Sequence, residues 1–162
     1  MDIRDATADD WPAIWRFMRR IAAAGETFSW KRDIAEEDAR AYWLRGDPAR
    51  AVVAVDDGGT VLGTAEMGPR MGGPASHTAS AGFMVDPESE GHGVGRALGE
   101  EVIAWARDAG YRAIVFNAVA ESNTRAVGLW RSLGFEIVGT VPEGFHSPAH
   151  GYVGLHVMHR RL

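Results

Sequence analysis

The segment between residues 77 and 119 limits the possible folds more than any other. HTASAGFMV (77–85) reads as a strand that is stopped by Asp86-Pro87. Three alternating glycines follow within ESEGHGVGRALGEEVIAWA (88–106). Leu98, Val102, Trp105, Ala106 and Ala109 then recur at helical spacing, and Gly110 supplies a C-terminal stop. YRAIVFNAV (111–119) is a strand again. Strand, helix and strand in this order make a crossover unit, which pairs the two strands in parallel.

The other elements are assigned around this unit. AVVAV (51–55) and VLGTAEM (61–67) flank Asp56-Asp57-Gly58-Gly59 and form a hairpin. Residues 1–5 form a short strand. Trp11, Ile14, Trp15, Met18 and Ile21 mark a helix with Pro12 in its first turn and Gly25 at its end. Trp11 and Trp15, four apart, are packing residues. Asp33 is expected to cap a second helix through Ala39, Tyr42 and Trp43. Ser122–Leu133 is a further helix, FEIVGTV (135–141) a strand, and Tyr152–Met158 the last strand, with His146 and His150 in the loop between them. The whole chain, 1–162, reads as one α/β domain: a mixed sheet with helices on both faces.

Charge and composition exclude several function classes. The net charge is −5 with no basic stripe, which argues against nucleic acid as a partner. There is no cysteine, so disulfides, thiolate metal sites and cysteine nucleophiles are excluded. No apolar run approaches the ~20 residues a membrane helix needs, and the acidic start MDIRDATADD lacks a signal core. A cytoplasmic protein without a membrane partner is expected. His156 and His159, three apart on a strand, face opposite sides, and no metal is expected.

The glycine turn suggests phosphate. It fails the G-x-G-x-x-G dinucleotide fingerprint, because the sixth position is Arg96 counted from Gly91 and Leu98 counted from Gly93. It also fails the P-loop pattern, since the only lysine is Lys31. What remains is a set of backbone N–H groups at 91–96 converging at a helix N-terminus, an arrangement suited to pyrophosphate. A plain turn before a surface helix is the competing reading.

Val85-Asp86-Pro87 followed by Glu90-Gly-His-Gly-Val-Gly95-Arg-Ala-Leu98 resembles the acetyl-CoA loop of the GCN5-related N-acetyltransferase (GNAT) family, Gln/Arg-x-x-Gly-x-Gly/Ala. SNTRAVGLWRSLGFE (122–136) resembles the same family's Asn-x-x-Ala-x-x-Leu-Tyr-x-x-x-Gly-Phe block. With the order of elements, the likeness covers nearly the whole chain. It implies the GNAT fold: a mixed, mostly antiparallel central sheet of about seven strands, one splayed parallel pair, and about four helices on both faces. It also implies acetyl-CoA as co-substrate. Phe83, Met84, Val85, Glu90, Gly91, His92, Gly93, Val94, Gly95, Arg96, Asn123, Ala126 and Trp130 would contact it. Asn123 is equally read as a helix cap.

Two positions depart from the family pattern. Glu90 stands where Gln or Arg is usual, so its side chain should point away from phosphate while Arg96 supplies charge. Trp130 stands where the family has the tyrosine thought to protonate the departing thiolate, and indole cannot do this. A thiol of pKa ~8.5 can also leave unaided.

The resemblance further implies direct attack of a neutral amine on the thioester, with no acyl-enzyme. Backbone N–H near Met84 and Val85 would polarise the carbonyl, on a strand that bulges. Glu66 lies at the family's usual base position; a solvent-facing strand glutamate is the other reading. Asn117 is either a satisfied core amide or faces the splayed strands and holds acceptor or thioester. Phe28 and Trp30 resemble the segment that roofs the acceptor site in the family; ordinary core is the other reading, and the favoured one for Trp30. FNAV…SNTRAV…LWRSLGF resembles a subgroup that acetylates amino acids and related small amines. A small amine acceptor is therefore expected, and a homodimer is a family-level implication. A protein N-terminus or lysine as acceptor, and a non-catalytic acyl-CoA sensor, stay open.

Overall fold

The computed structural model describes every residue from Met1 to Leu162. The chain runs β1 (Asp2–Asp5), α1 (Trp11–Ala24), α2 (Glu36–Trp43), β2 (Arg50–Val55), β3 (Val61–Pro69), β4 (Thr78–Val85), α3 (Val94–Asp108), β5 (Ala113–Ala120), α4 (Thr124–Ser132), β6 (Glu136–Ser147) and β7 (Gly151–Arg161). One sheet holds all seven strands in the order β1-β2-β3-β4-β5-β7-β6. The crossover through α3 makes β4 and β5 the single parallel pair; all other neighbours are antiparallel. This is the mixed, mostly antiparallel sheet with one parallel pair that the sequence predicts.

Two apolar layers enclose the sheet. On one face, Ile14, Phe17 and Met18 of α1 and Trp43 of α2 pack against Val53, Val61 and Met84. On the other, Leu98 and Val102 of α3 and Trp130 of α4 pack against Val52, Ala65, Ile114 and Phe116. Each fully buried large side chain contributes roughly 1.5–3 kcal/mol relative to exposure. Trp43 also donates its indole N–H to Thr64 Oγ1 (2.9 Å), and Thr64 donates to Val52 O (2.8 Å). No polar atom of this pair is left buried without a partner. Trp11 is buried, as expected, and its Nε1 donates to Glu36 Oε1 (2.9 Å), joining the two helices.

Three expectations change. Helix α2 begins at Glu36, not at Asp33, because Glu36, Glu37 and Asp38 place three carboxylates in its first turn, where the helix dipole favours them. Strand β6 runs on to Ser147, so His146 and Ser147 are strand residues and not loop. Pairing with β7 skips from Val141 to Phe145 and then resumes; the bulge absorbs Pro142, Glu143 (φ 51°) and Gly144. Strand β4 does not bulge: its register with β3 is unbroken from Gly63↔Val85 to Pro69↔Ala79. The irregularity lies across the gap, in β5 between Phe116 and Val119.

Candidate active site

The parallel pair is short. Only Thr78↔Ala113 and Ala79↔Ile114 are in register, and beyond them β4 and β5 diverge. A cavity of ≈ 750 Å³ occupies the gap and reaches from the glycine turn to the loop between α1 and α2. Every residue expected at the site lines it except His92, whose exposed ring points back toward Ser89 O (3.3 Å).

At one end, Gly91 (φ 81°) and Gly93 (φ 78°) adopt left-handed conformations that side chains resist. A Cβ on either would meet nothing within 4 Å, so both open the backbone to the cavity. Gly93 is the N-cap of α3 with no side-chain cap, leaving the first-turn N–H groups free for an anion. Gly95 serves packing instead, since a Cβ there would lie 3.3 Å from Leu129 and its bareness brings α3 and α4 together. Below the turn, buried Asp86 accepts from Glu88 N (3.1 Å) and from Arg16 (2.6 Å), which pins the start of the turn to α1.

The charges at this end differ from expectation. Arg96 donates to Ser132 Oγ (2.7 Å) and lies 3.6 Å from Glu100, so its guanidinium is engaged along the helices. Arg125, which sequence reasoning missed, lines the cavity and pairs with the Glu90 carboxylate. The pair neutralises the carboxylate at the family's Gln/Arg position. Its signal in the sequence was weak: an arginine two residues beyond a helix cap, with nothing to show which way it turns.

In the middle, the ladder geometry decides which amides are free. Asp86 N–H donates to Leu62 O (2.9 Å), which makes 62↔86 a hydrogen-bonded pair in the β3–β4 register. Antiparallel alternation then assigns Met84 N–H to β3 and turns the N–H groups of Phe83 and Val85 toward the gap. Of the two amides expected to polarise a carbonyl, Val85 is thus available and Met84 is not. Facing them, one extra residue in β5 turns Asn117 and Ala118 out of the ladder with β7, and both line the cavity. Asn117 is exposed and accepts from Arg70 Nε (2.7 Å), so it is not a core amide.

At the far end is Glu66. It pairs with Gly82 across β3 and β4, and continuing the β4–β5 register sets Gly82 level with Asn117. Glu66, Gly82 and Asn117 therefore form one row across the splayed strands. Glu66 is 5% exposed, which excludes a solvent-facing glutamate, and Arg45 donates to its carboxylate (2.5 Å). Burial pushes its pKa up from 4.5 to about 7, with the Arg45 charge pulling in the opposite direction. A Cβ on Gly82 would sit 3.1 Å from Glu66 Oε1 and 3.2 Å from Phe28, so only glycine leaves the carboxyl this place.

Around Glu66 the wall is aromatic. Phe28 meets Trp30 edge-on at 5.1 Å between ring centroids, and Trp30 meets Tyr42 at 5.5 Å and Trp43 at 5.8 Å. Trp30, for which core was the favoured reading over a roof to the acceptor site, and Tyr42, read only as a packing residue in the sequence, both line the cavity. Trp130 sits among Phe83, Phe116 and Phe135, with centroids 4.6–6.1 Å away. Asn123 caps α4 by accepting from Ala126 N (3.2 Å) while also lining the cavity. No helix is long and apolar enough to cross a membrane.

Comparison with known proteins matches residues 11–135 to the acetyltransferase (GNAT) family. A GCN5-related N-acetyltransferase structure from Kribbella flavida is 55% identical, with a TM-score of 0.97 over 99% of this chain and 97% of that one. A phosphinothricin acetyltransferase structure from Sinorhizobium meliloti, in complex with AcCoA, is 25% identical, with a TM-score of 0.89 over 99% and 88%. An L-methionine sulfoximine/L-methionine sulfone acetyltransferase from Pseudomonas aeruginosa is 32% identical over 151 residues, 87% of this chain and 83% of the relative. Other curated relatives are longer: the chain spans 53% of a Schizosaccharomyces pombe N-acetyltransferase and 32% of a mycothiol acetyltransferase. The chain belongs to the acetyltransferase (GNAT) family.

Proposed function

We propose that the protein transfers the acetyl group of acetyl-CoA to the amine of a small molecule, with amino acids as the favoured class. The observation that carries this is the single cavity that joins a glycine cradle at a helix N-terminus to a buried carboxyl of pKa about 7. Open Gly91 and Gly93 beside the α3 N-terminus fit a pyrophosphate, and the relative from Sinorhizobium meliloti holds AcCoA. Acetyl-CoA supplies the activated acyl group; the protein's residues do the rest. Glu66 takes the proton that the amine gives up as its nitrogen bonds to the thioester carbon. Val85 N–H faces the carbonyl oxygen as charge develops on it. The C–S bond breaks and sulfur departs as thiolate, since Trp130 lies in an aromatic cluster and carries no acid.

Arg70 supports the amino-acid reading. It directly follows β3 and donates through Nε to Asn117, which lines the cavity, and its remaining guanidinium N–H groups are the cation we assign to the acceptor's carboxylate. The Pseudomonas aeruginosa relative acts on methionine derivatives by its name, which agrees with such an acceptor. A cytoplasmic homodimer belongs to the same proposal, and size-exclusion chromatography reads the assembly state.

The test is CoA release from acetyl-CoA, followed with a thiol reagent across amino acids, their decarboxylated amines, and a short peptide. With no cysteine, the protein adds no thiol background. Release stimulated by amino acids, and weakly by the decarboxylated forms, supports the proposal. Stimulation by the peptide alone transfers the activity to protein acceptors. Tight acetyl-CoA binding without release under any acceptor leaves a sensor.

A further inference from the structure

One contact crosses the active-site gap and takes no part in the chemistry above. Glu26 lies just past α1, in the loop whose next residues, Thr27, Phe28, Ser29 and Trp30, line the acceptor end of the cavity. Its carboxylate accepts from Ser147 Oγ and from Ala149 N (2.9 Å), at the turn between β6 and β7. Ser147 is fully buried, and its Oγ also accepts from His150 N (3.0 Å). The hydroxyl is thus donor to the loop and acceptor from the turn, and both chain segments are fixed through one buried oxygen.

The sheet order gives the contact its meaning. Helix α1 packs over Val53, Val61 and Met84, on β2, β3 and β4. The β6–β7 turn belongs to the opposite edge, with β5 between. A bond from the end of α1 to that turn must therefore pass over the gap between β4 and β5. Gly25, left-handed at φ 68°, ends α1 and turns the chain into this path. A charged acceptor with two donors makes stronger hydrogen bonds than neutral pairs do.

We propose that Glu26 is a positioning residue whose tie to Ser147 and Ala149 straps the acceptor loop across the gap, holding Phe28 and Trp30 in place and restricting the site to small amines. The proposal rests on the transferase reading for its substrate, and on geometry alone for the strap. It separates a small-molecule enzyme from one acting on polypeptides, because a chain acceptor would have to lie where the strap crosses.

Two measurements decide it. Hydrogen exchange of the Ala149 and His150 amides, which donate to Glu26 and to Ser147 Oγ, needs no substrate: Glu26→Ala should speed it about tenfold, with Glu26→Gln intermediate, because Gln keeps one acceptor oxygen. Steady-state kinetics should show the acceptor KM raised about tenfold in Glu26→Ala, the acetyl-CoA KM unchanged, and peptide acetylation increased over the wild type. Ser147→Ala cuts the tie from the other side and should reproduce both effects, which keeps the test available if Glu26→Ala folds poorly. Unchanged exchange overturns the strap. Faster exchange with unaltered acceptor KM and no gain with peptide overturns its role in selection. A wild type that turns over no amine defeats the transferase reading instead, and the exchange result still decides the strap.

Discussion

At the residue scale, Glu66 concentrates the most consequence in one side chain. A carboxyl that titrates near 7 is matched to removing a proton at neutral pH. The acceptor kcat/KM should rise as pH increases through about 7, and Glu66→Gln should lower it about 100-fold and abolish that limb. A pH–rate profile of both proteins checks this. The same shift has a stability sign. Between 4.5 and about 7 the folded protein holds a proton that the unfolded chain has lost, so this group's contribution falls as pH rises through that window. Denaturant midpoints at pH 5 and pH 8 should differ less in Glu66→Gln than in the wild type. Neither effect was legible from the sequence. Period-two alternation put Glu66 on one face of β3, but Trp43, Phe28 and Arg45, which bury and bind it, come from elsewhere in the chain.

At the element scale, the turn before α3 works through backbone shape. Gly93 combines a φ of 78° with open space at its Cβ. Gly93→Ala should therefore cost about 1 kcal/mol of stability through strain alone. It should also weaken acetyl-CoA binding by more than that strain explains, because the N–H groups of the α3 first turn would be re-aimed. Calorimetric titration and a thermal melt on the same variant separate the two. The strand β6 teaches the converse. Pro142 and Gly144 argue for a strand end near 141, yet a bulge absorbs them and pairing with β7 resumes at Phe145. That continuation carries Ser147 to the position where Glu26 meets it.

At the scale of the molecule, the site exists because the sheet is divided. Halves β1–β4 and β5–β7 are joined in parallel by two residue pairs, and the cavity fills the space left where they part. A ligand in that space contacts both halves and binds only the folded state. Acetyl-CoA at about 100 times its Kd should add about 2.7 kcal/mol, a rise of roughly 5–10 °C in Tm for a domain of this size. Differential scanning fluorimetry with and without acetyl-CoA, and with CoA alone, measures it. Family membership supplies the choice of ligand, and mass action sets the size of the effect.

Much of this was determined by local sequence. Hydrophobic periodicity and turn residues specify the number and order of strands and helices, because those signals act over a few neighbouring residues. The glycine spacing and the Asn123–Phe135 block specify the family for the same reason: they are contiguous. Tertiary structure alone decided which partner each charged side chain meets. Arg125 and not Arg96 turns to Glu90, Arg70 reaches Asn117, Arg45 holds Glu66, and Glu26 crosses to Ser147. Each of these pairs joins residues from separate elements, and long side chains have many rotamers of similar energy until a packed neighbour selects one.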